Sequence, residues 1–557
     1  MKKCPSFVEI LRNDKSVILL ISVISFYLAL LICLPLRTTL QTLTIVTALL
    51  CFPVSIAYHR LKNFVIKPEK YKPIPFSYFF FINLAIFSIY FYSTYPGSSQ
   101  FDEMYQWNEV QSAHFTDWHP AIHTMIIWCL TRICNNFQFI LIFQAFVFMT
   151  LNSFLYHEIS KIGLSEKISK WMFFLTVISP ATCSLMMTIW KDISFAIAIL
   201  GLTEILVLTY FSEGKWIKSN PRAILFGTIL ALASVLRHNG ILLTLPFAIV
   251  FLYLFHSKYV LRALALAICL VTFIKFPLYS YLKVVPHPQT KAELCGLPMT
   301  ILSEIFVKNP LVLDKETTDF MLSIEDYETW KTKYINGSWN SIKHLRVPDK
   351  KDFSTHGNKE ILKFSPEKVW IKAVKFGIVD PQNALNALID LTGLGWKVSI
   401  FSDGFRKIYP ITLQNISRYI TTNLNQSNKC SEIYDGYFEN NTRTKRPDHD
   451  SIFKAILQLI IIAYSIVFCI FWRPGMYLLL LILSAFFSFH RLRWKSFLII
   501  SPILIYNLGT IMLLCGHNDF RFFFCEVLIT FPYMFMLLAD KKFFLSGRKK
   551  SETKQKH

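Results

Sequence analysis

Residues 76–120 read FSYFFFINLAIFSIYFYSTYPGSSQFDEMYQWNEVQSAHFTDWHP. The first part is an apolar run long enough to cross the hydrocarbon core of a bilayer, which takes about 20 residues as a helix. The second part, Tyr95 to Pro120, is a polar interruption that gathers Asp102, Glu103, Glu109, Asp117 and His119. Carboxylates and an imidazole at a membrane boundary are costly unless they bind something or do chemistry. Outward from this stretch, further apolar runs begin near residues 17, 39, 137, 170, 192, 222, 240, 261, 452, 475, 496 and 523. With 53% hydrophobic residues in 557, they predict an all-α polytopic membrane protein, a bundle of about 12–13 transmembrane helices.

The formal net charge of +22 does not point to nucleic acid, because of where the basic residues fall. Arg60, Lys62, Lys67, Lys70 and Lys72 share one short loop, Lys161, Lys167 and Lys170 a second, and Lys215, Lys218 and Arg222 a third. These are alternate loops, the pattern of cytoplasmic ends, and the basic tail 541–557 belongs with them. An N-terminus inside puts the loop 95–136 outside, provided that Ala121–Cys134, too short to span, lies in the interface. Four units follow: a transmembrane module 1–281, an extracytoplasmic α-rich or mixed domain 282–450, transmembrane helices 451–540 and the tail. Keeping the tail inside requires one irregular run after residue 450, expected around Phe471–Phe489 because Arg473-Pro474-Gly475 breaks helices. Cys295 and Cys430 share the polar region and are candidates for a disulfide.

Within the interruption, Asp102, Gln106 and Glu109 fall on one face of a helix, and Tyr105 and Trp107 suit a membrane interface. Asp117 is placed to cap the helix after Pro120. Two short links on the same side carry Trp190-Lys191-Asp192 and Arg237-His238-Asn239-Gly240; cations there can neutralise a phosphate or reach lipid head groups. A fourth site is His517-Asn518-Asp519 with Arg521. Asp448-His449-Asp450 has a form that can hold a divalent metal such as Mg or Mn. No dinucleotide, ATP-loop or zinc-protease motif is present.

This ordered set resembles bacterial GT-C type membrane glycosyltransferases: an Asp in the first large outer loop, then D-x-H-P and a juxtamembrane helix, K-D and R-H-N-G links, and D-x-R before the last helix. It is most similar to a branch with a long ectodomain before the last helices. The resemblance implies a polyprenyl-phosphate sugar donor, a lipid, glycan or protein acceptor, and an extracytoplasmic site in a bacterial cytoplasmic membrane. It implies Asp102 as the base, or as the residue that orients the acceptor hydroxyl through a metal, with adjacent Glu103 as an alternative, and Asp117 and His119 shaping the donor site. Lys191, Arg237 and Arg521 would stabilise the leaving phosphate, beside Gln106, Asp192 and His238. A flippase for lipid-linked glycans, or an O-antigen polymerase or ligase, stands as the alternative.

Overall fold

The computed structural model describes residues 15–37, 39–69, 72–94, 101–286, 290–343, 345, 359–398, 459, 463, 473–510 and 520–539. Among these the chain is helical, with isolated bridges in place of strands. Among the described residues seven helices are long and apolar enough to cross a membrane: Lys15–Cys33, Gln41–Leu61, Phe137–Ile162, Lys191–Phe211, Lys258–Tyr281, Pro474–Leu492 and Phe520–Leu538. Shorter apolar helices, Phe76–Tyr92, Ala121–Ile133, Asn220–Val235, Ile241–Leu254 and Lys495–Gly509, fill the bundle between them.

Lys191–Phe211 and Phe524–Leu538 are buried nearly all round, as expected of helices that are apolar on every face. They pack on one another at the centre of a continuous core. The outer helices turn Ile249, Tyr253, Ile268 and Phe276 away from the protein, which suits a hydrocarbon surround.

Helix ends sort into two groups. At one end Ile66 bridges Ala539, and Arg491 donates to the carbonyls of Leu537 and Ala539 at 2.6 and 2.7 Å. The loops leading to Lys62, Lys161, Lys215 and Lys258 follow helices that run to this end. The other end carries the links of residues 187–191 and 236–240 and the joint at Thr510, which accepts from Asn239 Nδ2 at 3.1 Å. The alternating directions agree with the charge pattern in the sequence.

Ala121–Ile133 begins and ends at that second end, for Gln111 reaches Asn135 at 3.0 Å. It does not cross, as its length predicts. The run near residue 170 is not one helix: it splits into Glu166–Val177 and Pro180–Met186, because a proline cannot continue the hydrogen-bond ladder of the preceding turn. Of the stretch Phe471–Phe489, where an irregular run is expected, Phe471 and Trp472 lie outside the described residues, Arg473 is extended, and no break follows within residues 474–489. Pro474–Leu492 is one uninterrupted helix with Pro474 in its first turn, where a missing N–H costs nothing. This helix and the two after it suffice to return the chain to the basic end. The apolar run from residue 452 and the tail lie outside the described residues, apart from Leu459 and Ala463.

Residues 290–398 form a helical unit with its own core around Met299, Leu302, Phe320, Trp330, Trp339 and Phe376. It sits on the second end of the bundle: Arg37 pairs with Asp390 at 2.9 Å. At Gly475 a Cβ would fall 2.6 Å from the Trp396 carbonyl oxygen. Cys295 is buried in this core; Cys430 lies outside the described residues.

Close backbone approach also fixes the pair Asn220–Val235 and Lys258–Phe273. A Cβ on Gly227 would stand 2.5 Å from the Ala263 carbonyl oxygen, whereas at Gly201 the nearest atom is a side-chain carbon at 3.5 Å. Gly227→Ala is therefore expected to lower the melting temperature, at a cost of about 1–3 kcal/mol. Gly201→Ala should be neutral or stabilise by up to about 1 kcal/mol, since it removes backbone freedom from the unfolded chain. Thermal melts in detergent check both; equal effects would contradict the packing described.

Candidate functional site

The links at the second end bring their charges together. Lys191 and Asp192 open the helix Lys191–Phe211, and Arg237 stands in the turn between Val235 and Ile241. Arg237 Nε lies 3.0 Å from Asp192 Oδ1, and Arg521 Nε lies 3.6 Å from Asp192 Oδ2. Arg521 then reaches outward, with Nη1 2.8 Å from Asp102 Oδ2. One carboxylate thus holds two guanidiniums, and one guanidinium joins two carboxylates.

The inner half of this chain is closed. Asp192 is buried, and Arg237 is covered by Phe522, which lies 4.7 Å from its guanidinium and lends it a carbonyl at 3.1 Å. Tyr506 bonds both Arg237 and the same carbonyl. The outer half is open: the Asp102 side chain is 31% exposed. Arg521 lies over the Trp190 ring at 4.4 Å, a contact that fixes the plane of the guanidinium.

Beside this pair, Lys191 Nζ donates to His119 Nδ1 at 2.7 Å. An imidazole that accepts at Nδ1 carries its proton on Nε2. That Nε2 is buried and has no hydrogen-bond partner among the described residues. Burial and the neighbouring Lys191 charge keep His119 neutral, well below its usual range. Burial would push the Asp102 carboxyl up, but the Arg521 charge, with Lys191 behind it, outweighs burial and holds it well below the usual carboxylate range. Lys191, Arg237 and Arg521 set against Asp102 and Asp192 leave one formal positive charge in excess. Such an end of a bundle attracts an oxyanion.

Not every residue singled out in the sequence joins this set. Glu103 is buried in the helix Phe101–Ser112. Gln106 faces the interfacial helix, donating to His123 Nδ1 and Thr124 Oγ1, each at 3.0 Å. Glu109 shares that face: its Oε1 accepts from Thr116 N at 2.8 Å and Thr116 Oγ1 at 2.6 Å, and its Oε2 lies 3.4 Å from Thr124 Oγ1. Glu109 ties down the loop that carries Asp117 and His119. Trp107 is buried against Phe137 rather than placed at an interface.

Asp117 does little capping, with Oδ1 3.5 Å from Ala121 N; its stronger partner is Lys275 at 3.5 Å. His238 lies against the Trp118 carbonyl at 3.4 Å. Lys275, Tyr506 and Trp190 were not singled out as site residues, because each sits in or beside an apolar run. Asp448, Asp450, His517, Asn518 and Asp519 lie outside the described residues. No group of three or more His, Cys, Asp or Glu is placed to hold a metal ion among the described residues. No known protein family matches the chain, and neither a curated protein nor a solved structure shows significant similarity to it.

Burial pushes the Glu109 carboxyl up to about 7, against the hydrogen bonds from Thr116. The fold therefore binds a proton that the unfolded chain releases near pH 4.5. Stability from this group is full below that pH and is lost as pH rises through about 7, a loss on the order of 2–3 kcal/mol. Glu109→Gln mimics the protonated form. Its melting temperature should match that of the parent at pH 4.5 and exceed it at pH 8; parallel curves would contradict this.

Proposed function

We propose that the chain is a membrane glycosyltransferase that moves a sugar from a polyprenyl-phosphate donor to a hydroxyl of a lipid, glycan or protein acceptor. The observation that carries this reading is the Asp102–Arg521 pair at 2.8 Å, open to the surroundings and set beside Lys191. It puts a carboxylate able to take a proton next to two cations able to hold a phosphate. The site lies at the end opposite the basic loops. By the positive-inside pattern that is the outer face, where a lipid-borne donor takes the place of a nucleotide sugar. The helical unit 290–398 is then extracytoplasmic, and the membrane is the cytoplasmic membrane of a bacterium.

In the empty site Asp102 is a poor base, because Arg521 stabilises its charged form. A donor phosphate offers Arg521 and Lys191 a stronger anion and takes Asp102's place. Freed from its partner, the carboxylate gains proton affinity where it is needed. The acceptor hydroxyl gives its proton to Asp102 as its oxygen attacks the anomeric carbon. The bond from that carbon to the phosphate oxygen breaks with its electron pair, and Arg521 and Lys191 meet the charge that develops on the phosphate. Direct displacement inverts the anomeric centre. His119, with its free Nε2–H, can donate to a donor oxygen.

Asp102, Lys191, Asp192, Arg237 and Arg521 gather at one end of the bundle, whereas a flippase for lipid-linked glycans would place such charges near the midplane. That favours the transferase.

Asp102→Asn separates the two roles of this residue. Transfer from a panel of polyprenyl-phosphate hexose and pentose donors should fall by about 100- to 10,000-fold, the range for a lost general base. Binding of polyprenyl phosphate should tighten by about tenfold, because Arg521 loses its competing carboxylate. Full transfer by the variant would sink the base assignment, and weaker lipid binding would sink the exchange.

A further inference from the structure

Lys275 stands inside the apolar helix Lys258–Tyr281, between Phe273 and Phe276, which are 55% and 70% exposed toward the surroundings of the bundle. A lysine in such a helix is costly unless it meets an anion. Its compensation is partial: Asp117 Oδ2 and the Tyr279 hydroxyl each lie 3.5 Å from its ammonium, which also stands 4.6 Å from the Tyr279 ring centre, and about a third of both the Lys275 and Asp117 side chains stays open.

The helix is irregular at this residue. Ile274–Leu278 forms a single π turn around Pro277, and such turns occur frequently at functional sites. The turn lies close to where the helix meets the site loop. Val285 N donates to the Phe115 carbonyl at 3.0 Å, and Asp117 N donates to the Val285 carbonyl at 2.9 Å. The Tyr279 hydroxyl accepts from Ile122 N at 3.3 Å.

The same loop joins Lys275 to the main cluster. Asp117, the partner of Lys275, is two residues from His119, the partner of Lys191, and two residues of chain span at most about 7 Å. His238 Nε2 lies 3.4 Å from the carbonyl of Trp118, the residue after Asp117 and before His119 in the chain. Burial lowers the His238 pKa; the Asp117 charge opposes this, and the charges of Lys191 and Lys275 add to it.

We infer that Lys275, with His238 and Tyr279 beside it, forms a second oxyanion subsite that receives the distal phosphate of a lipid-linked diphosphate, while Arg521 and Lys191 hold the phosphate that leaves the sugar. This rests on the donor reading above and narrows it to a diphosphate-linked donor. The lipid chain leaves along the face of Phe273 and Phe276, so that the headgroup enters the site from the bilayer. As the diphosphate binds, it takes Lys275 from Asp117, just as the first phosphate takes Arg521 from Asp102.

The test uses the full chain in nanodiscs of zwitterionic lipid, without acceptor. Its readout is the affinity for polyprenyl diphosphate, polyprenyl monophosphate, inorganic pyrophosphate and phosphatidylglycerol. The parent should bind the polyprenyl diphosphate at least tenfold more tightly than the monophosphate. Lys275→Met should remove that preference and leave monophosphate affinity unchanged, while Lys275→Arg should keep the preference. An unchanged preference in Lys275→Met, or an equal loss for both lipids, would overturn the subsite. Phosphatidylglycerol binding as tightly as the diphosphate would overturn the donor assignment in favour of general head-group binding. Inorganic pyrophosphate matching the lipid would overturn the part given to the chain. Because no transfer is measured, failure here is distinct from failure of the glycosyltransferase reading.

Discussion

Asp192 is the fixed point of this protein. It is buried at the head of the most enclosed helix, with one arginine on each carboxylate oxygen: Arg237 at 3.0 Å and Arg521 at 3.6 Å. Breaking a buried pair of this kind by removing one partner costs about 3–5 kcal/mol, because the remaining charge has nothing to replace the lost one. Three separate segments are thereby tied together: the start of Lys191–Phe211, the turn at Arg237 and the entry to Phe524–Leu538. The aromatic cover from Phe522, Tyr506 and Trp190 follows from the same need, since a guanidinium in an apolar interior is best held by ring faces and carbonyls.

The outer pair behaves differently for the same electrostatic reason. Asp102 and Arg521 are close, yet the carboxylate stays partly open, and an accessible ion pair contributes only about 0–1 kcal/mol. Arg521 thus faces a buried carboxylate at 3.6 Å on its inner side and a partly open one, hydrogen-bonded at 2.8 Å, on its outer side. A phosphate can displace Asp102 without disturbing Asp192. The fold keeps its cation in place while leaving the anion exchangeable, and this is what a site that binds and releases a charged headgroup requires. Lys275 and Asp117 repeat the arrangement at the edge of the bundle, with a weaker contact and a more open position.

Much of this was legible in the sequence, and the reasons are specific. A charge inside an apolar run is conspicuous, so Lys191-Asp192 and Arg237 stood out, and the alternation of basic loops placed them at one end with Asp102 and Arg521. What could not be read was which charge meets which. Helical spacing grouped Asp102 with Gln106 and Glu109, yet the first faces Arg521 and the other two face Thr124, because the helix sits between two partners. Pro180 and Pro474 each open a helix, and Pro180 thereby splits the run near residue 170. Lys275 was passed over because one lysine in an apolar stretch reads as the tail of a span, and its meaning depends on Asp117, far away in the chain.

In the proposed cycle Arg521 exchanges Asp102 for a phosphate while Asp192 keeps its hold. A cryo-electron microscopy structure of the full chain in nanodiscs with bound polyprenyl phosphate tests it most directly. Phosphate oxygens are expected within about 3 Å of Arg521 and Lys191 nitrogens, as for charge-assisted hydrogen bonds, with Asp102 turned away and Asp192–Arg237 intact. A lipid phosphate bound elsewhere, with the Asp102–Arg521 pair still closed, would contradict it.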